Sequence, residues 1–113
     1  MIEVVRFSQL SAQRQRLVRL CQSINYGVIQ RLTVSAGEPT FNPAPSVLVE
    51  VKLDGAEGGR AELKLADFIV CDEVRRLMQE IEALGNGSID RIEVRAGLPR
   101  RIILESSFAE VLR

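Results

Sequence analysis

Apolar residues recur along this chain with two different periods, and each switch of period marks the end of an element. From Ile2 to Phe7, and again from Ala61 to Ala66, apolar and polar positions alternate, with Leu63 and Leu65 set between Glu62, Lys64 and Ala66 in the second stretch. Alternation of period two predicts a half-buried strand in each place. Three- and four-residue steps follow: Leu10, Leu17, Leu20, Cys21 and Ile24 in one segment, and Val70, Val74, Leu77, Met78, Ile81 and Leu84 in the other. Each set forms one apolar stripe on a helix of about four and a half turns. Ser8 and Asp67 precede the two helices as expected N-caps, with Ser11 a competing cap for the first. Asn25 and Gly85 stand at the expected stops, since these residue types most readily take the left-handed closing conformation. Gly27 and Gly87 then let the chain turn into a strand.

Period two returns in Val28–Val34 and Ser88–Arg95. Leu32 and Val34 share one face, as do Ile92 and Val94, while Arg31 and Arg91 take the opposite face. Ala36-Gly37 and Ala96-Gly97 predict tight hairpin turns, because glycine supplies positive φ. Pro39 and Pro99 follow and belong at a strand start or on an edge, where no donor is needed. The second segment passes directly into a strand at Arg100–Glu105. The first inserts the spacer Phe41-Asn42-Pro43-Ala44-Pro45 before its strand, Val47–Leu53, in which Val47, Val49, Val51 and Leu53 are expected to face inward and Glu50 and Lys52 outward. Asp54 to Gly59 is the one linker, short enough to join Val47–Leu53 to Ala61–Ala66 as a hairpin. Phe108, Val111 and Leu112 form a short C-terminal element expected to dock on the core.

The two segments also match in letters at an offset of sixty residues. Between Arg16–Phe41 and Arg76–Arg101, nine of twenty-six positions are identical, among them Gly27/Gly87, Ile29/Ile89, Arg31/Arg91, Val34/Val94 and Pro39/Pro99. The predicted architecture is therefore α+β: an internally duplicated β-α-β-β unit with six mainly antiparallel strands and two helices related by a pseudo-twofold axis. One compact domain comprises two repeats, 1–60 and 61–113, and a single continuous sheet with both helices on one face is favoured.

With 113 residues, 46% of them hydrophobic, the chain supports one core. No apolar run approaches the roughly 18–20 residues of a membrane span, and the N-terminus lacks the pattern of a secretory signal. Two cysteines without such a signal read as reduced thiols. The expectation is a cytoplasmic, bacterial-type protein with no membrane association.

Net charge is zero but unevenly placed: residues 1–31 carry +4, residues 32–87 carry −5 and residues 88–113 carry +1. A neutral chain has little long-range attraction for nucleic acid as a whole, so only the arginine-rich first helix offers a local patch. Thirteen of the fifteen bases are arginine, which suits phosphate or carboxylate recognition, but a GC-rich genome gives the same bias and is the favoured explanation.

The candidate chemistry is sparse. There is no histidine, which removes the commonest general base and metal ligand. Cys21 falls on the apolar stripe and reads as a core thiol. Cys71 stands near a helix start, which lowers a thiol pKa, but Asp72 and Glu73 oppose a thiolate there. Asp72, Glu73, Glu80 and Glu82 read as a solvated helix face with Arg75 and Arg76. The glycines form neither a phosphate loop nor a dinucleotide fingerprint. No catalytic residue, metal site or cofactor is expected. Arg14, Arg16, Arg19 and Arg31 remain as candidate binding residues, against a structural reading in which they form a solvated helix face or pair with the acidic middle of the chain. Arg31 and Arg91 repeat, and a symmetric salt-bridge position is the competing reading for them.

The stretch Ile24-Asn25-Tyr26-Gly27-Val28-Ile29, followed by Ala36-Gly37-Glu38-Pro39, resembles the helix–Tyr-Gly–strand–Gly-turn–strand pattern of small uncharacterised bacterial domains. The second half carries Asn86-Gly87 in place of Tyr-Gly, and the resemblance implies no activity. The leading functional expectation is a non-enzymatic protein that works by association, as a homo-oligomer or an adaptor to another protein. Nucleic-acid or anion binding through the first helix is the alternative, and a small-ligand or enzyme site between the repeats ranks last.

Overall fold

A computed structural model describes residues 5–54, 65–105 and 111. The two apolar stripes form helices of equal length, α1 (Ala12–Ile24) and α2 (Asp72–Leu84), followed at equal spacing by strands β1 (Gly27–Ser35) and β4 (Gly87–Arg95). Ser11, not Ser8, caps α1: its hydroxyl accepts the Arg14 N–H at 3.2 Å. Asp67 caps neither helix. Its carboxylate accepts the Ser8 N–H and the Arg6 Nε–H, each at 2.8 Å, and so ties the two helix approaches together. Cys71 occupies the N-cap of α2 without a side-chain bond, and Asp72 and Glu73 in the first turn supply the negative charge that a helix start favours.

Both helices stop in the same unusual way. Asn25 (φ 62°, ψ −60°) and Gly85 (φ 69°, ψ −70°) have the positive φ expected of them, but ψ is negative. These are γ-turns rather than left-handed helical residues, and each closes on a bond two residues apart: Tyr26 N–H to Ile24 O and Asn86 N–H to Leu84 O, both 2.7 Å. The turned carbonyls are then used by the far hairpins. Asn25 O accepts from Gly97 N–H at 2.8 Å, and Gly85 O accepts from Gly37 N–H at 2.7 Å.

Ala36-Gly37 and Ala96-Gly97 are two-residue turns with positive φ at both positions, the twist that suits a tight antiparallel hairpin. The first leads into β2 (Glu38–Thr40). Phe41–Pro45, with a cis Asn42–Pro43 bond, then leaves the sheet, and β3 (Ser46–Val49) returns to pair with the other end of β1. The second turn leads into β5 (Leu98–Leu104), which follows β4 without a break. The order is β2-β1-β4-β5, with β3 also against β1, and all pairings are antiparallel. Pro39 and Pro99 lie on these outer strands, as the missing donor requires.

The described residues therefore contain five strands, not six. Expected strand Ile2–Phe7 lies largely outside them; Arg6 makes a single bridge to Ile69, and Phe7–Gln9 form a 3-10 turn. Expected strand Ala61–Ala66 and the linker after Asp54 also fall mainly outside, and Leu65 and Ala66 are not in a strand. Of the C-terminal element only Val111 is described, and it is exposed.

The central pair β1–β4 runs from Gly27 opposite Val94 to Val34 opposite Gly87. Strict alternation would put Ile29 and Leu32 on opposite faces. Positive φ at Arg31 (59°) resets the pleat, so both are fully buried and Arg31 is exposed. In β4, Ile89 and Ile92 are likewise both buried, across a register shift against β5. These four residues, with Val34 and Val94, meet Leu17, Val18, Cys21 and Ile24 of α1 and Val74, Leu77, Met78 and Ile81 of α2 in one core. The helices thus share one face of the sheet, and among the described residues no element covers the other. Among the described residues no helix is long and apolar enough to cross a membrane.

Candidate binding surfaces

The four arginines singled out in the sequence have separate surroundings. Arg14 reaches the β1–β2 turn, donating to Gly37 O at 2.8 Å and lying 3.5 Å from Glu38, whose carboxylate also takes the Ser11 hydroxyl at 2.6 Å. Arg16 stacks its guanidinium over Phe41, 4.8 Å from the ring centroid. Arg19 covers Phe7 at 4.3 Å and the Phe68 ring stacked on it, and donates to Gln22 and to the Leu65 carbonyl. These contacts use the planar cation as a cover for aromatic surface. Arg31 stands exposed at its pleat reset on β1. The structure does not bring the four to one place. Nor do Arg31 and Arg91 share a symmetric ion pair: Arg91 lies 4.0 Å from Glu93, and Arg31 has no ion pair among the described residues.

Both thiols are free. Burial pushes Cys21 up to about 12. Burial also raises Cys71, with Glu73 adding to the rise, so neither position favours a thiolate at neutral pH.

A denser cationic group lies on the open face of the sheet. Arg91, Glu93 and Arg95 alternate with buried Ile92 and Val94 on β4, and the Ala96-Gly97 turn folds β5 back so that Arg101 stands opposite Glu93. Arg101 grips the Glu93 carboxylate through Nη2 at 2.9 Å and Nε at 3.3 Å. That bond first, then the fields of Arg101, Arg91 and Arg95, hold Glu93 below the usual carboxylate range. Neither Arg95 nor Arg100 makes an ion pair or side-chain hydrogen bond among the described residues. A hollow of about 550 Å³ is lined by Tyr26, Glu93, Arg95, Ala96, Arg100 and Arg101. A second hollow, of about 370 Å³, shares Glu93 and Arg95 with it and continues past Arg91 to Val28 and Leu48. The +1 balance of residues 88–113 hides this group in the sequence, where only Arg91 stands out, by its repeat with Arg31. The signal that marks it is the Arg91-Glu93-Arg95 alternation, folded about the predicted turn.

The second distinctive surface is β3. Val47 stands opposite Ile29 and so points to the helix side, as expected, but it is not buried there. The expected inward set is in fact exposed: Val47 38%, Val49 55%, Val51 71% and Leu53 95%. Ordered pairing stops at Val49, and the Glu50 N–H makes one further bond, to Tyr26 O at 2.7 Å. Among the described residues the outer edge of β3 has no partner strand.

Among the described residues, the fold and these surfaces define a two-layer α+β protein with an open sheet face and an unpaired apolar edge. The chain matches no family model, no curated protein and no solved structure.

Proposed function

We propose that this is a non-enzymatic cytoplasmic protein that works by association, and that its first partner is a second copy of itself joined through the β3 edge. The observation that carries this reading is the alternating run Val47 to Leu53, patterned for a half-buried strand yet exposed on its apolar side. The run is also self-complementary. In an antiparallel pair centred on Val51, Glu50 of each copy faces Lys52 of the other, Val49 faces Leu53, and Val51 faces itself. A twofold centre on Glu50 or Lys52 sets like charges together, which disfavours those registers. The absence of histidine and the protonated state of both thiols support a role without catalysis.

Sedimentation velocity on the full chain tests the association. The native chain is expected to dimerise, and Val51→Pro to be monomeric with an unchanged circular dichroism spectrum. Glu50→Lys and Lys52→Glu alone each weaken the dimer, and the double swap restores it. A native chain that stays monomeric, or a double swap that fails to restore pairing, refutes the reading.

The proposal extends to the origin of the fold. Matching helix and strand bounds at an offset of sixty residues, the symmetric β1–β4 register and the exchanged bonds at the helix ends support a duplicated ancestor with a pseudo-twofold axis between β1 and β4. On this view β2 and β3 correspond to β5, split by the Phe41–Pro45 insertion.

A further inference from the structure

We infer that the open face of the sheet carries a nucleotide-binding site, in which Arg95 and Arg100 take the phosphate and Tyr26 forms the wall beside the base. Three observations lead there. First, cations outnumber anions around the hollow: Arg95, Arg100 and Arg101 line it against Glu93 alone, and the adjoining hollow adds Arg91 and Glu50. Two of them, Arg95 and Arg100, are unengaged, whereas Arg101 is already spent on Glu93. A guanidinium presents a planar fork that matches two phosphate oxygens, so a pair of unengaged forks on one wall suits an oxyanion. Second, the protein's own carboxylate reports the local potential. Arg101 holds the Glu93 carboxylate through two of its nitrogens, with Arg91 and Arg95 two residues either side on β4, so this surface already holds one anion. Third, about 550 Å³ exceeds what an inorganic anion fills and falls within the roughly 300–1,000 Å³ of small-ligand pockets. The chain's one tyrosine lines it, with the Lys52 ammonium over its ring at 5.9 Å from the centroid, and an aromatic ring beside a cation suits a planar base joined to a phosphate.

The ligand chemistry is thus a phosphate joined to a planar ring, supplied either by a free mononucleotide or by one unit of a single strand. The shared lining of the two hollows by Glu93 and Arg95 gives a strand somewhere to continue, toward Arg91 and the apolar pair Val28 and Leu48. The site lies within one protomer and does not depend on self-association.

Fluorescence anisotropy with a labelled oligouridylate, competed by uridine monophosphate and by pyrophosphate, tests the inference. Binding at low salt is expected. The Arg95→Ala/Arg100→Ala protein should bind tenfold or more weakly with its circular dichroism unchanged, since both side chains are exposed and unpaired. Tyr26→Leu should weaken uridine monophosphate but leave pyrophosphate competition intact. Arg16→Ala, which uncovers Phe41 but removes no residue lining either hollow, should leave binding unchanged. Equal competition by the mononucleotide and by the same concentration of strand units identifies a free nucleotide as the ligand. Tighter binding of the strand with a steeper salt dependence identifies a polymer. No binding at low salt, equal binding by the double variant, or an equal loss on Arg16→Ala overturns the assignment.

Discussion

Replacing Gly27 by alanine isolates the junction on which the β3 edge depends. Gly27 does not have positive φ, so the cost of a side chain there is one of space. A Cβ would lie 2.1 Å from the Leu48 carbonyl oxygen and 2.8 Å from Ile24 Cγ2. The Ile24 methyl can rotate away, but the Leu48 oxygen belongs to the backbone of the paired strand. Normal contact requires the strands to separate by about 1 Å at the place where Gly27 opposes Val49 and Val28 opposes Leu48. Overpacking of this kind costs about 1–3 kcal/mol, and weakening one or two ladder bonds adds about 1 kcal/mol each. The expected loss is about 3 kcal/mol, or roughly 10–15 °C in thermal midpoint for a domain of this size. Urea unfolding followed by circular dichroism measures the total, and amide exchange at Val47–Val49 locates it. Gly85→Ala is the matched control: nothing lies within 4 Å of the added carbon, and only φ of +69° opposes it, so a loss of about 1–2 kcal/mol is expected. If Gly27→Ala costs no more than this control and leaves β3 exchange unchanged, the argument from crowding is wrong.

The other expectations concern charge and thiols. Arg6, with the Ser8 N–H, lowers the Asp67 carboxyl from 3.8 to about 2. A lowered carboxyl contributes stability that is complete above its unfolded value and lost as pH falls through the folded one, so Asp67→Asn should flatten the acid limb between about pH 4 and pH 2; superimposable limbs for the two proteins would remove Asp67 from that role. Glu38→Gln leaves the half-buried Arg14 without its ion pair and weakens the Ser11 bond, which should cost about 1 kcal/mol in urea unfolding after discounting for solvent; no measurable cost refutes the structural role of this trio. Mass spectrometry after a neutral-pH thiol reagent should find native protein labelled at Cys71 at most, and at both cysteines in urea, because Cys21 is fully buried. Labelling of Cys21 in the native state contradicts its place in the core.

What could be read from the residues is what local physics dictates. The helix stripes, the Ala-Gly turns and the inward sets of β1 and β4 each follow from period or from a φ that few residues tolerate. The reading failed where a residue's partner is remote in sequence. Ser8 and Asp67 resemble caps, but Asp67 is engaged by Arg6 across the chain and Ser11 lies closer to the first helical turn. Val47 and Val49 have the pattern of buried residues, and their exposure is visible only once the helices are placed. Among the arginines, those along α1 are legible as a group from spacing alone, and two of them stand over Phe41 and Phe7, while the denser group is assembled across a hairpin.

The exchanged bonds from Gly97 to Asn25 and from Gly37 to Gly85 make each hairpin the doorstop of the other segment's helix. Neither helix end is complete within its own half. A chain severed between the halves leaves two fragments, each with an unanswered carbonyl at its helix stop and an idle donor at its hairpin tip. Re-mixing therefore answers both ends together, so the fragments should recover structure as a stoichiometric pair and not one by one. An insertion that lengthens one helix by a residue displaces the latch of the opposite hairpin, so lengths in one half are policed by the other.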